Sequence, residues 1–185
     1  VYLRVEPGKT ERDKTEKWHT DKGSFRDVST QSKTIEVVVR NNGSAAQPLA
    51  VEWYFVGKRV EGNERFIYDG GVRTGTVNAR QQIEFEVTSK EIKASETFVD
   101  FFDIHDKRGG EYDGYLVLVR SGDDVLATDS SSHSRTYEKK ILELVEQEKT
   151  KEKATAEPED RKEDPDERPR LPQRPRRPPR PWRKP

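Results

Sequence analysis

The sequence contains no cysteine and no methionine among its 185 residues. Without cysteine there is no disulfide, no thiolate nucleophile and no Cys-ligated zinc or iron–sulfur site. The chain begins at Val1 rather than at methionine, which either a removed leader peptide or a trimmed sequence would explain. No apolar run approaches the roughly 20 residues of a membrane-spanning helix, so we expect no transmembrane segment.

Motifs of catalysis and cofactor binding are absent as well. The only imidazoles, His19, His105 and His133, lack the close spacing of metal ligands, and no G-x-S-x-G elbow occurs. The glycine pairs at 70–71 and 109–110 lack the Gly-Lys-Ser/Thr end of a phosphate loop, so we interpret them as turns. The sequence predicts no catalytic residue, no metal and no cofactor.

Apolar residues are scarce, and charges are abundant but unevenly placed. Hydrophobic residues make up 30% and charged residues 38%, against about 45–50% and 25% in average globular domains. The formal net charge is zero. Residues 168–185 nevertheless carry only positive charges, while residues 138–167 and, more weakly, 1–137 are acidic. We therefore expect a packed body, an acidic neck and a basic tip.

Alternating apolar residues predict an all-β body. Residues 34–40, 49–56 and 82–87 each place their apolar side chains on one face, and residues 65–68 form a short strand. Residues 114–128 predict a hairpin with a four-residue loop. Turn residues recur at regular intervals, so we expect an antiparallel β-sandwich of seven or eight strands.

Two aromatic runs need a specific assignment. We place Trp53 and Phe55 in the core, which turns Tyr54 to the opposite face and predicts an exposed aromatic contact there. The run at 98–104 is read as one strand, although Phe101 and Phe102 cannot both share a face with Phe98.

The residues 33–58, KTIEVVVRNNGSAAQPLAVEWYFVGK, resemble the strand, N-x-G turn and E-W-Y-F strand of bacterial immunoglobulin-like sandwiches of the adhesion and secreted-repeat kind. Residues 114–132, GYLVLVRSGDDVLATDSSS, resemble their closing hairpin. Over residues 1–135 the chain is also similar to small immunoglobulin-like proteins encoded beside type IV pilus genes in Verrucomicrobia and related phyla. The resemblance implies a disulfide-free immunoglobulin-like sandwich in an exported, non-catalytic interaction protein.

We divide the chain into a sandwich at 1–133, an amphipathic helix at 134–150, an acidic linker at 151–167 and a basic proline-rich tail at 168–185. The helix is predicted from an apolar stripe capped by Ser132 or Ser134. The stripe consists of Tyr137, Ile141, Leu142, Leu144 and Val145. Pro158, Pro165 and dense charge predict that the rest is disordered or adopts polyproline II.

The tail holds most of the chain's 11 prolines and is the predicted partner-binding segment. Its predicted contact residues are Arg168, Arg170, Arg174, Arg176, Arg177, Arg180, Trp182, Arg183 and Lys184. They would bind an anionic polymer such as nucleic acid or glycan, an aromatic groove that takes Pro-x-x-Pro, or the acidic neck of another subunit. A solubilising tail without a specific partner is the alternative.

The functional expectation is a non-catalytic structural or assembly subunit of the cell envelope or a surface filament, exported to the periplasm or cell surface. Its partner would be a protein, either a homo-oligomer copy or a filament neighbour. Residues 6–26 predict no structure, which would leave Val1, Tyr2, Leu3 and Val5 free to form an assembly strand on another subunit's sheet edge.

Two other classes stay open. A nucleic-acid-associated protein would use the basic tail. A carbohydrate-binding module would need Tyr54 together with Tyr68 or Tyr115 on an exposed platform.

Overall fold

The computed structural model describes residues 1–19, 24–99, 104–132 and 134–156. Its elements are β1 Tyr2–His19, β2 Ser24–Arg40, β3 Gln47–Arg59, β4 Arg65–Val77, β5 Gln82–Thr88, β6 Ile92–Val99, β7 Ile104–Ser121, β8 Asp124–Ser130 and α1 Arg135–Ala156. The predicted class, an antiparallel β-sandwich with one C-terminal helix, is confirmed. The linker beyond α1 and the basic tail, with all nine predicted contact residues, lie outside the described residues.

The strands pair in the order β1-β2-β6-β7-β3-β4, with β5 beside β2 and β8 beside β7. One layer of the sandwich contains β1, β2 and β5, and the other contains β4, β3, β7 and β8. Alternate residues of each strand point inward. Ile35, Val37 and Val39 therefore meet Val51 and Phe55, and all five are almost fully buried. This confirms the predicted inward faces of these two strands.

A second core lies on the outer face of the β3–β7 layer, where α1 packs. Tyr137, Ile141 and Val145 of α1 contact an apolar patch formed by Val56, Leu116 and Leu118. The helix begins after Ser134, whose carbonyl accepts hydrogen bonds from the amides of the first turn. It continues past the predicted end at residue 150, although its apolar stripe stops where expected. None of the helices in the described ranges is long and apolar enough to cross a membrane.

The glycine pairs predicted as turns lie inside strands, so that prediction is wrong. Gly70 and Gly71 stand across from Tyr54 and Trp53 in β3. A Cβ on Gly71 would come 2.5 Å from Cζ2 of Trp53, so glycine is what lets that ring lie against β4. Gly109, at φ +90°, occupies the point where β7 leaves β6 and joins β3.

The hairpins differ from the sequence expectation in their lengths. Ser121 pairs with Asp124, so the β7–β8 turn has two residues rather than four, with Gly122 at φ +61°. The strand predicted at 65–68 extends to Val77. The aromatic run at 98–104 is divided between β6 and β7, because β6 ends at Val99 and β7 starts at Ile104. Phe101 and Phe102 lie outside the described residues.

The largest correction concerns residues 6–26, which were expected to lack structure. Residues 6–19 and 24–26 belong to the paired strands β1 and β2, whose pairing is continuous apart from one shift after Pro7, from Tyr2 opposite Arg40 to His19 opposite Ser24. The first half of β2 also pairs with β6, and β6 pairs with the start of β7. We call this four-stranded extension the β-arm; it consists of residues 10–19, 24–31, 92–99 and 104–109.

Replacing Gly114 by alanine should loosen α1 from the sandwich, because the added methyl group would meet Ser131 Oγ and Tyr137 Oη. Overpacking of this kind costs about 1–3 kcal/mol of unfolding free energy. Chemical denaturation followed by circular dichroism measures it. Gly75→Ala is the matched control, since a Cβ there meets no atom within 4 Å. An equal loss in both variants would contradict the packing role of Gly114.

Candidate functional site: exposed β-edges and the β-arm

The predicted assembly strand is already paired within its own chain. Val5 lies opposite Val37, is buried, and donates its amide proton to Asp129 Oδ2 of β8 at 2.9 Å. Residues 2–7 thus close one side of the sandwich. The premise for a free strand, an unstructured stretch behind it, is wrong. Val1 and Tyr2 are exposed, at 36% and 50%, and remain available for a contact.

The β-arm continues beyond the sandwich with little burial. Among its described side chains only Ile92 and Ala94 are buried, and residues 10–17 of β1 are exposed throughout. Backbone pairing and cross-strand ion pairs hold its four strands together. Lys14 lies 3.0 Å from Asp27, and Lys107 lies 3.0 Å from Glu96. Exposed pairs of this kind stabilise a sheet weakly.

One row across the end of the β-arm is aromatic. Trp18 on β1 pairs with Phe25 on β2, which pairs with Phe98 on β6, which pairs with His105 on β7. The Phe98 and His105 rings are 4.5 Å apart between centroids. Phe25 and Phe98 are only half-buried. The arm thus carries apolar rings at the end that lies farthest along the strands from the two cores.

The edge of β4 differs from the other strand edges. β4 pairs with β3 on one side, and no described strand pairs with its other side. Residues 69–77 keep an unbroken register with β3, and Arg73 is the only charge after Asp69. Val72 is 60% exposed, the highest value among the large exposed hydrophobic residues. This is a long, regular and nearly neutral edge.

A groove of about 510 Å³ lies between β4 and α1. Tyr54, Ile67, Val72 and Val145 supply its apolar wall. Tyr54 does face away from Trp53 and Phe55, as predicted, but α1 covers that face and leaves the ring half-buried. It is therefore not the open aromatic contact that the sequence suggested.

Glu52 ties α1 to β3 beside this groove. Its carboxylate accepts hydrogen bonds from Lys149 Nζ at 2.8 Å and Tyr54 Oη at 2.7 Å, and Arg120 lies 3.4 Å away. Burial alone raises the pKa of Glu52, but these hydrogen bonds and the charges of Lys149 and Arg120 outweigh it and lower the pKa overall. The carboxylate is thus a negatively charged structural anchor.

Tyr54 forms no exposed aromatic platform with either Tyr68 or Tyr115. Tyr115 is buried in the main core, and Tyr68 packs on Phe55 and donates its hydroxyl proton to Ser89. Tyr54 lies under α1. In the described ranges no cluster of three or more His, Asp or Glu side chains could hold a metal ion.

No protein-family model and no curated protein matches the chain. Among solved structures, a β-glucuronidase of glycoside hydrolase family 2 is 10% identical at a TM-score of 0.30, covering 65% of this chain and 10% of the enzyme. A protein from Akkermansia muciniphila is 13% identical at a TM-score of 0.25, covering 72% of this chain and 72% of that protein. A β-glucosidase from Streptomyces venezuelae is 13% identical at a TM-score of 0.24, covering 66% of this chain and 14% of the enzyme. Similarity this low carries no inference about activity or partners.

The β-arm and the β4 edge were not predicted from the sequence. The available signal for the arm was the placement of Trp18, Phe25 and Phe98 within polar stretches rich in Thr, Ser and charge. For the β4 edge it was the run Val72-Arg73-Thr74-Gly75-Thr76, which has β-branched residues at alternate positions and one charge.

Replacing Glu52 by glutamine should remove a pH-dependent part of the stability. The folded pKa of Glu52 is lower than its ordinary value of 4.5. The stabilisation is therefore present above that value and is lost as the pH falls through the folded pKa. The gap in unfolding free energy between wild type and Glu52→Gln should narrow on acidification, measured by urea denaturation from neutral pH to below 4.5. Glu143→Gln, at an exposed position of α1, is the control; a gap just as pH-dependent there would contradict the assignment.

Proposed function

We propose that the protein is a non-catalytic assembly subunit, exported to the cell envelope or a surface filament, that binds a protein neighbour through its β-arm. The single observation that carries this proposal is the aromatic row at the end of an arm that buries only Ile92 and Ala94 among its described side chains.

Keeping the β-arm ordered costs a monomer conformational entropy. Ordering each residue costs on the order of 1–2 kcal/mol of backbone entropy, and this segment buries few apolar side chains in return. A partner that covers Phe25 and Phe98 would add the missing apolar burial.

The charged residues of the arm suit recognition of a protein surface. Positive and negative side chains alternate along β1, from Lys9 to Lys17, so the arm has no field of one sign. Such a surface sets orientation and specificity rather than bulk attraction to a polyanion. The basic tail, residues 168–185, would then supply a second and independent contact with an acidic surface of the partner.

The state of Glu52 supports a binding role over catalysis at the α1 groove. A general acid there would need a proton near neutral pH, and the Lys149 and Tyr54 hydrogen bonds favour the ionised form. Its neighbour Asp69 is paired with Lys90.

The test is photo-crosslinking in the organism that produces the protein. Replacing Phe98 by the photoreactive aromatic p-benzoylphenylalanine keeps a ring in the row. We expect a discrete adduct whose mass spectrum identifies an envelope or filament protein. The matched control carries the same group at Val125, which is 47% exposed and lies outside the arm. Equal adducts at both positions, or none at residue 98 in folded protein, would contradict the proposal.

A nucleic-acid role would appear in a separate titration of the full chain with duplex DNA. A tail that contacts six to eight phosphates gives a slope of about −5 to −7 for log affinity against log salt. We expect no such slope. Finding it, together with DNA rather than protein in the adduct at residue 98, would replace the assembly function by the nucleic-acid alternative.

A further inference from the structure

The unpaired edge of β4 has a sequence that complements itself. An exposed edge strand leaves the N–H and C=O groups of alternate residues without a strand partner. Residues 69–77 run in register with β3 without a bulge, so these groups lie in a regular row. An added strand would need no rearrangement of β4 to pair with it.

The other long edge is protected against such pairing. Residues 9–17 of β1 carry seven charged side chains, which natural edge strands use to prevent association. β5 and β8 have only seven residues each. β5 carries Glu84 and Glu86, and the edge of β8 contacts β1 through Asp129. Among the described strands, β4 alone combines length, regularity and near neutrality.

Self-pairing in antiparallel orientation has a preferred register. A two-fold axis at Gly71 places residue 72 opposite residue 70 of the second copy, and residue 73 opposite residue 69. Val72 then lies across from a glycine, which leaves room for its side chain. Arg73 lies across from Asp69, whose carboxylate also lies 3.2 Å from Lys90 Nζ of its own chain. Opposite charges then meet twice in the symmetric pair, with each carboxylate shared by two cations. An axis at residue 73 would instead bring two arginines together.

In both contacts the two opposed residues lie on the same face of the sheet. Val72 pairs with Glu52, and Gly70 with Tyr54, on the outer face that holds the groove. Arg73 pairs with Val51 and Asp69 with Phe55 on the inner face. Opposite residues of an antiparallel pair must share a face, and the register centred on Gly71 satisfies this for both contacts.

We propose that two copies of the protein associate through their β4 edges, antiparallel and centred on Gly71, to join their β4-β3-β7-β8 layers into one sheet. This names the partner at one edge and so rests on the proposed assembly function. The contact area of a single strand edge is small, and such interfaces are weak or transient. The expected species is a concentration-dependent dimer that neighbouring contacts would reinforce.

The chain's own basic tail does not suit this edge. Proline lacks the N–H that a ladder needs, and residues 168–185 place a proline at nearly every second or third position.

The chain has no native cysteine, so a single introduced thiol reports the contact. In the proposed register, residue 72 and its copy are diagonal neighbours at roughly 7–8 Å, which a short bismaleimide spans. We expect purified Val72→Cys to give covalent dimer in a yield that rises with protein concentration. Val125→Cys, on β8 and 47% exposed, is the matched control and should give little. Equal yields from the two variants would overturn the proposal.

The register has its own test. Arg73→Glu in the Val72→Cys background places like charges opposite Asp69 at both ends of the pair. It should lower dimer affinity roughly fivefold to tenfold, read from the concentration dependence of crosslinking. An unchanged dependence would overturn the register centred on Gly71. These measurements use purified protein and leave Phe98 intact, so their failure would not affect the arm proposal, and an adduct missing at residue 98 would not affect the β4 dimer.

Discussion

Burial of β7 on both of its faces is the constraint on which the rest of the structure depends. Val117 and Val119 point into the sandwich, while Leu116 and Leu118 point outward under α1, and all four are fully buried. The consecutive apolar residues of this strand therefore require a layer on each side. Without α1, the outer leucines would face water, and each Å² of exposed apolar area would cost about 25 cal/mol of folding free energy.

The same strand also joins the sandwich to the β-arm. Its first residues pair with β6, and from Gly110 onward it pairs with β3. Gly109 allows this change because its backbone has φ +90° and a side chain there would collide with the backbone of Lys93. The arm is thus anchored by backbone continuity with the most deeply buried strand.

The parts of the fold that burial determines were predictable from the sequence. Ile35, Val37 and Val39 alternate because one face of β2 is buried, and Tyr137 to Val145 show helical spacing because one face of α1 is buried. The arm half of the β1–β2 pair could not be predicted. Its strands are specified by partners distant in sequence, such as Phe25 with Phe98, and alternation disappears where neither face is buried. Gly70 and Gly71 were wrongly predicted as a turn for a related reason: the aromatic rings that require glycine at these positions lie on another strand.

The open edge of β4 could not be predicted from the sequence, because an edge is defined by the absence of a neighbouring strand. An open edge becomes visible only when the pairing order is known, and here the order leaves β4 with one neighbour. The last described contact of α1 is Lys149 with Glu52, and the helix then continues to Ala156. At 1.5 Å per residue this carries the helix roughly 10 Å beyond that contact.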